Sequence, residues 1–83
     1  MKIEILGNGG AICKTLFCNA LEALGESGKN GRVVMVKDIK KLMKYGAMAM
    51  PVLAINGVVF FSGRLVSPEE IIALLQLNLS SFV

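Results

Sequence analysis

The chain contains no histidine and no tryptophan. Without histidine, zinc sites of the Cys2His2 kind and every His-based general base are excluded, which removes most hydrolase mechanisms. Cysteine is scarce, with Cys13 and Cys18 the only two, too few for a disulfide-rich secreted scaffold. Aromatic residues amount to four Phe and one Tyr, and the net charge is a mild +3. Nucleic-acid binding asks for a stronger basic patch interleaved with aromatics, so no nucleic-acid partner is expected.

Charge is also missing over a long stretch, since nothing between Lys44 and Arg64 is charged. A membrane span needs about 20 apolar residues, and this stretch is close to that length. Pro51 and Asn56-Gly57 interrupt it. Asn-Gly between the β-rich runs VLAI and VVFF is a strong hairpin signal, because both residues tolerate the positive φ of a type I′ turn. A buried hairpin therefore accounts for the missing charge, and no membrane partner is expected. The amino terminus, MKIEIL, alternates charged and apolar residues without the hydrophobic region of a signal peptide, which predicts a cytoplasmic protein.

What is present is apolar material, 54% of 83 residues, enough for a core in a single domain over residues 1–83. A domain of this size buries only about 60% of the surface its unfolded chain exposes. Four of the nine basic residues, Lys37, Lys40, Lys41 and Lys44, gather beside Asp38 and read as a solvated helix face. No internal repeat or low-complexity segment occurs.

Periodicity orders the elements. Lys2 to Leu6 alternates, with Ile3 and Ile5 on one side of a strand and Lys2 and Glu4 on the other. From Ala11 to Leu24, Ile12, Cys13, Leu16, Phe17, Ala20, Leu21 and Leu24 recur at helical spacing, and Gly25 stands where the helix would stop. The polar link GESGKNG leads to Arg32–Val36, which reads as a strand buried on both faces. Strand, helix, strand implies a parallel pair with a right-handed crossover. Asp38 can cap a short helix through Lys44, ended by Gly46. After the hairpin, Ser67-Pro68-Glu69-Glu70 supplies an N-cap, a proline at the first helical position and a glutamate at the third, a capping box opening a last helix. The order is βαβαββα, an α/β fold with a four-stranded mixed sheet and helices on both faces.

The stretch GNGGAICKTL, residues 7–16, lies between the first strand and the first helix, where a phosphate loop would sit. A P-loop needs Gly-x4-Gly-Lys-Ser/Thr, and although Lys14-Thr15 are present, Asn8 and Cys13 occupy the two glycine positions. The dinucleotide fingerprint fails too, because Ile12 stands at its third glycine. The turn still leaves N–H groups free at a helix N-terminus, which suits a small anion. Nucleotide chemistry is not supported.

The element order, with a proline opening the third strand, together with KIEILG, the Gly-x-Gly loop, a Cys-x-x-Cys position at the start of helix one, MKYGAMAMP-xLxING and SGRLVSPEEI, resembles the thioredoxin fold in its glutaredoxin-sized form. Over nearly its whole length the chain is similar to the small bacterial and archaeal redox-active disulfide proteins. Where that family has Gly-x-Gly-Cys-x-x-Cys, this chain has Gly7-Asn8-Gly9-Gly10-Ala11-Ile12-Cys13. The resemblance makes Gly10 the position of the missing nucleophile and Cys13 the surviving, resolving thiol. In such a site the first cysteine attacks and the second resolves the mixed disulfide from a more buried position. Intact dithiol turnover is therefore not expected.

Cys18 is a poor substitute partner. Five helical residues turn the two side chains about 140° apart and separate their Cα atoms by roughly 8 to 9 Å, whereas a disulfide needs under about 7 Å. The helical wheel puts Cys13 on the apolar face beside Leu16, Phe17 and Ala20, buried, and Cys18 on the opposite face with Lys14 and Glu22, exposed. Burial disfavours a thiolate, while the first helical turn favours one.

The resemblance also implies a cis bond at Met50-Pro51, with the Met50 backbone beside the helix N-terminus pairing with an extended substrate. Met50 and Pro51 are the expected substrate-binding residues. Met48 and Met50 bring thioethers to the region, which a soft metal accepts, but methionine is above all a core residue, and neither a metal nor a cofactor is expected. Two functions follow. One is a thioredoxin-like redox protein using Cys13 as a monothiol toward a protein or small thiol/disulfide partner. The other is a catalytically silent module holding a peptide or small anion at the Gly10 loop and the Met50-Pro51 edge. The apolar tail Leu75 to Val83 is compatible with self-association.

Overall fold

The computed structural model describes residues 1–46 and 49–77. Within them the elements run β1 (Lys2–Leu6), α1 (Ala11–Ser27), β2 (Arg32–Val36), α2 (Ile39–Lys44), β3 (Val52–Ile55), β4 (Val58–Ser62) and α3 (Pro68–Leu75). This is the expected βαβαββα order. The sheet runs β2-β1-β3-β4, with β1 parallel to β2 and antiparallel to β3, and β3 antiparallel to β4.

Alternation along the central strands divides the core. Ile3, Ile5, Leu53 and Ile55 face α1 and α3, packing on Leu16, Ala20, Leu24, Ile71 and Leu75. Leu6, Val52 and Ala54 face the other way, onto Leu42 of α2. Helices thus cover both faces, as expected for the α/β, thioredoxin-like arrangement. Asn19 of α1 donates to the Val66 carbonyl at 2.9 Å and ties the helix to the segment entering α3.

Local chemistry sets the ends of most elements. Asn56 and Gly57 both adopt positive φ, 50° and 84°, the combination a type I′ turn requires. The Ser67 side chain accepts from the Glu70 N–H while the Glu70 carboxylate accepts from the Ser67 N–H, with Pro68 at the start of the helix. Asp38 caps α2 through the Lys40 N–H at 2.9 Å, and Gly46 closes it with φ 69°.

Four expectations need correction. Helix α1 passes through Gly25 to Ser27 and ends on Gly28, whose φ of 70° is the left-handed cap; Gly25 is tolerated inside the helix for about 1 kcal/mol. Strand β2 is not buried on both faces, because it is an edge strand, with Arg32 exposed and residues 33–36 only partly covered. Ile12 and Leu21, read as part of the apolar helix face, are 57% and 47% exposed; they flank the buried stripe rather than lie in it. Lys41 leaves the solvated lysine face to pair with Glu4.

Glu4 is the only charged residue in the core among the described residues, 2% exposed. Its Oε1 accepts from the Tyr45 hydroxyl at 2.6 Å. Its Oε2 lies 2.5 Å from Lys41 Nζ and 3.9 Å from Lys2 Nζ, a close ion pair with the first and a looser one with the second. Burial pushes the Glu4 carboxyl up, but Lys41, Tyr45 and the charge of Lys2 together outweigh it and hold the group below its ordinary value. The same contact raises Lys41 and Tyr45. Sequence alternation puts Glu4 opposite Ile3 and Ile5 correctly, but does not foresee that α2 covers it.

Candidate functional site

Four residues, Gly7-Asn8-Gly9-Gly10, carry the chain from the end of β1 into α1. The Gly7 N–H donates to the Val36 carbonyl at 3.0 Å, so the loop leaves the sheet from a fixed point. The Asn8 Oδ1 accepts from the Gly10 N–H at 2.9 Å, an Asx-turn that uses a side chain to close the loop. Lys37 lies across Gly9, with its Nζ 3.0 Å from where a Cβ there would stand.

Gly10 is the N-cap of α1, with φ −73° and ψ −174°. It has no side chain to cap the helix, and no acidic residue sits in the first turn. A 17-residue helix therefore presents its positive end to the loop without a side-chain acceptor. Cys13, in that first turn, is a free thiol and only 3% exposed. Its Sγ donates to the Asn8 Oδ1 at 3.7 Å, within reach for sulfur. A Cβ on Gly7 would stand 2.4 Å from the same sulfur, so the thiol rests directly on the Gly7 backbone.

The Met50-Pro51 bond is cis. Pro51 is buried and Met50 is 47% exposed. The Met50 Cβ lies 3.9 Å from the point a Gly7 Cβ would occupy, which brings Met50 and Cys13 together around Gly7. The segment is pinned from the far side by the end of β4. Gly63 N–H donates to the Pro51 carbonyl at 2.8 Å, and the Ser62 hydroxyl donates to the Ala49 carbonyl at 3.0 Å.

Of the residues singled out in the sequence, Cys13 and Met50 thus meet around Gly7, Gly10 ends the same loop, and Pro51 is tied to it through the cis bond to Met50. Cys18 is exposed and free, on the face the helical wheel assigns to it. Met48 falls outside the described residues, and so do residues 78–83 of the apolar tail. Among the described residues no group of three or more His, Cys, Asp or Glu side chains comes together as a metal site. No helix among them is long and apolar enough to cross a membrane. Sequence reasoning missed Asn8 and Gly7. An Asn two residues before a glycine N-cap is an Asx-turn signal that identifies the first; the second depends on a contact only the fold creates.

A family model described as thioredoxin domain matches residues 1–76. The thioredoxin of Methanothermobacter thermautotrophicus (strain Delta H) is 39% identical over 71 residues, which cover 86% of this chain and 92% of that protein. The thioredoxin of Methanocaldococcus jannaschii is 30% identical over 69 residues, covering 83% of this chain and 79% of that protein. Sheet order, helix placement and the extent of these matches agree, and the chain belongs to the thioredoxin-domain family.

Proposed function

We propose that this chain is a cytoplasmic thiol-disulfide redox protein that works through one thiol, Cys13, on a disulfide carried by a protein or a small molecule. The observation that carries the reading is the position of Cys13 in the first turn of a helix with no side-chain cap, beside Met50 and the cis bond to Pro51. A helix N-terminus favours the thiolate, which is the attacking form.

The exchange balances without a cofactor. The Cys13 thiolate attacks one sulfur of the partner disulfide, an S–S bond forms and the original one breaks, and the leaving sulfur departs with the electron pair as a thiolate. Position 10 is glycine, so no internal thiol completes a second step. The mixed disulfide then persists until a second thiol, from the partner or from the small-thiol pool, attacks it and returns Cys13. Met50 is exposed, which leaves this edge open to an extended partner segment. The mild charge and the shortage of aromatics favour no nucleic-acid or membrane role.

The 3% exposure of Cys13 favours a second reading, in which the fold is catalytically silent and binds an extended peptide or small anion at the Gly10 loop and the Met50-Pro51 edge. The two separate in one experiment. Incubation of the folded protein with oxidised glutathione, followed by mass spectrometry of the peptides, is expected to find a mixed disulfide on Cys13 that is lost in Cys13→Ser. Adducts confined to Cys18 would remove the redox reading and leave the binding one.

A further inference from the structure

The missing thiol at position 10 leaves Cys13 with a different neighbour, and the carboxamide of Asn8 is that neighbour. A Cβ added to Gly10 would stand 3.1 Å from Asn8 Oδ1, 3.8 Å from its Cγ and 3.9 Å from its Nδ2. The Asn8 side chain thus lies beside the helix start, over the residue where the family places its attacking cysteine. It bonds to both the loop and the surviving thiol.

The orientation of this carboxamide is fixed by its partners. The Gly10 N–H can only donate, so the atom it meets at 2.9 Å is the oxygen. The same oxygen meets Cys13 Sγ at 3.7 Å, and an amide oxygen accepts but never donates. In this arrangement Cys13 is therefore the donor and is held as a thiol. A thiolate in its place would face the lone pairs of an oxygen that Gly10 keeps pointed at it. For the thiolate to be accommodated, the carboxamide must turn. That turn breaks the Gly10 bond and brings Nδ2 toward the sulfur, so that a donor replaces the acceptor. Cys13 has little other access to solvent, since its sulfur rests on Gly7 and Met50 adjoins the same point, whereas Asn8 is exposed.

We infer that Asn8 is a positioning residue for Cys13, holding it as a resting, hydrogen-bonded thiol until its carboxamide turns away from Gly10. The inference rests on the redox reading for its purpose, though the hydrogen bond can be tested without it. Asn8 does not touch a substrate. It acts by choosing between two states of the sulfur, one with the carboxamide oxygen before it and one with the carboxamide N–H.

The test uses the full chain in a Cys18→Ser background, with Asn8→Ala and Asn8→Asp variants checked for folding by circular dichroism. The infrared S–H stretching band of Cys13 is expected at a hydrogen-bonded frequency in the parent and at a free one in Asn8→Ala. Iodoacetamide alkylation of Cys13 is expected to run about fivefold faster in Asn8→Ala and slower by a similar factor in Asn8→Asp, since a carboxylate accepts from the thiol but has no donor to offer a thiolate. Uncovering the sulfur would also speed Asn8→Ala, and the added charge would also slow Asn8→Asp, so the S–H band decides: a band unchanged by Asn8→Ala, or Asn8→Ala no more reactive than a parent that itself reacts, overturns the inference. A band that shifts while Cys13 stays unreactive in all three proteins upholds the hydrogen bond and defeats the redox reading instead.

Discussion

The sulfur of Cys13 rests on the backbone of Gly7 at a separation that leaves no room for a side chain, since a Cβ at Gly7 would come within 2.4 Å of it. Gly7 does not adopt a positive φ, so the glycine is required by space alone. Gly7→Ala is expected to displace the Cys13 side chain or the helix start and to cost about 1 to 3 kcal/mol, the usual range for an overpacked core site. Urea unfolding measures it. A variant as stable as the parent would mean that the loop yields freely, and that the thiol is less firmly held than this contact implies.

The buried carboxylate supplies a pH dependence with a definite sign. The Glu4 pKa is lowered in the folded protein from its ordinary 4.5, so ionised Glu4 contributes stability that is present above that value and is lost as pH falls through the lower folded one. Glu4→Gln is therefore expected to flatten the acid limb of the stability curve below about pH 4.5. Unfolding free energies of the two proteins, compared across that window, should converge as pH falls. Curves that stay parallel would remove Glu4 as the source.

Tyr45 is the neutral member of that group, and its hydroxyl lies 2.6 Å from Glu4. Tyr45→Phe is expected to cost about 1 to 2 kcal/mol, the lower part of the range for a hydrogen bond to a charged group because Tyr45 is itself partly exposed. Denaturant unfolding at neutral pH checks it. No loss would mean that Lys41 alone satisfies the carboxylate.

How much of this was legible in the sequence depends on how local each cause is. The hairpin at Asn56-Gly57, the capping box at Ser67 and the burial of Cys13 against the exposure of Cys18 follow from neighbouring residues and the helical wheel, and the structure has them as read. Gly25 and Gly28 are three residues apart, and composition does not say which one the chain uses as its left-handed cap. Strand alternation also fails at β4. The pairing of Leu53 with Phe61 and of Ala54 with Val59 leaves Phe60 as an extra residue, and the bulge lets Phe60 and Phe61 both pack on the main core. The Glu4 pairing and the contact of Asn8 with Cys13 depend on elements distant in sequence or on a side-chain orientation, neither of which periodicity carries.

The capping box at α3 offers a test of purely local chemistry. Ser67→Ala removes the acceptor for the Glu70 N–H and is expected to cost about 1 kcal/mol. The Ser67 N–H and Arg64 hold the Glu70 carboxyl below its ordinary value, so what they add is present above pH 4.5 and fades in acid. A thermal scan at neutral pH should show a lowered midpoint, and the fading in acid should persist in Ser67→Ala, which keeps the backbone N–H at position 67 and Arg64 against Glu70.

Position 10 decides between a decayed site and one lacking a single atom group. With φ −73° and ψ −174° the Gly10 backbone is open to any residue, and the nearest obstacle to a new Cβ is the Asn8 oxygen at 3.1 Å. A side chain there needs that carboxamide to give by only a few tenths of an ångström. Gly10→Cys is therefore expected to fold, to place an attacking thiol at the uncapped start of α1, and to raise dithiol reductase activity on a model disulfide such as insulin above that of the parent. The decisive measurement is turnover with a reductant in excess, where a monothiol stalls at the mixed disulfide and a dithiol resolves it. A folded Gly10→Cys protein without turnover would show that Met50, Pro51 and the loop no longer present a substrate disulfide to the helix, and the function would then lie in binding alone.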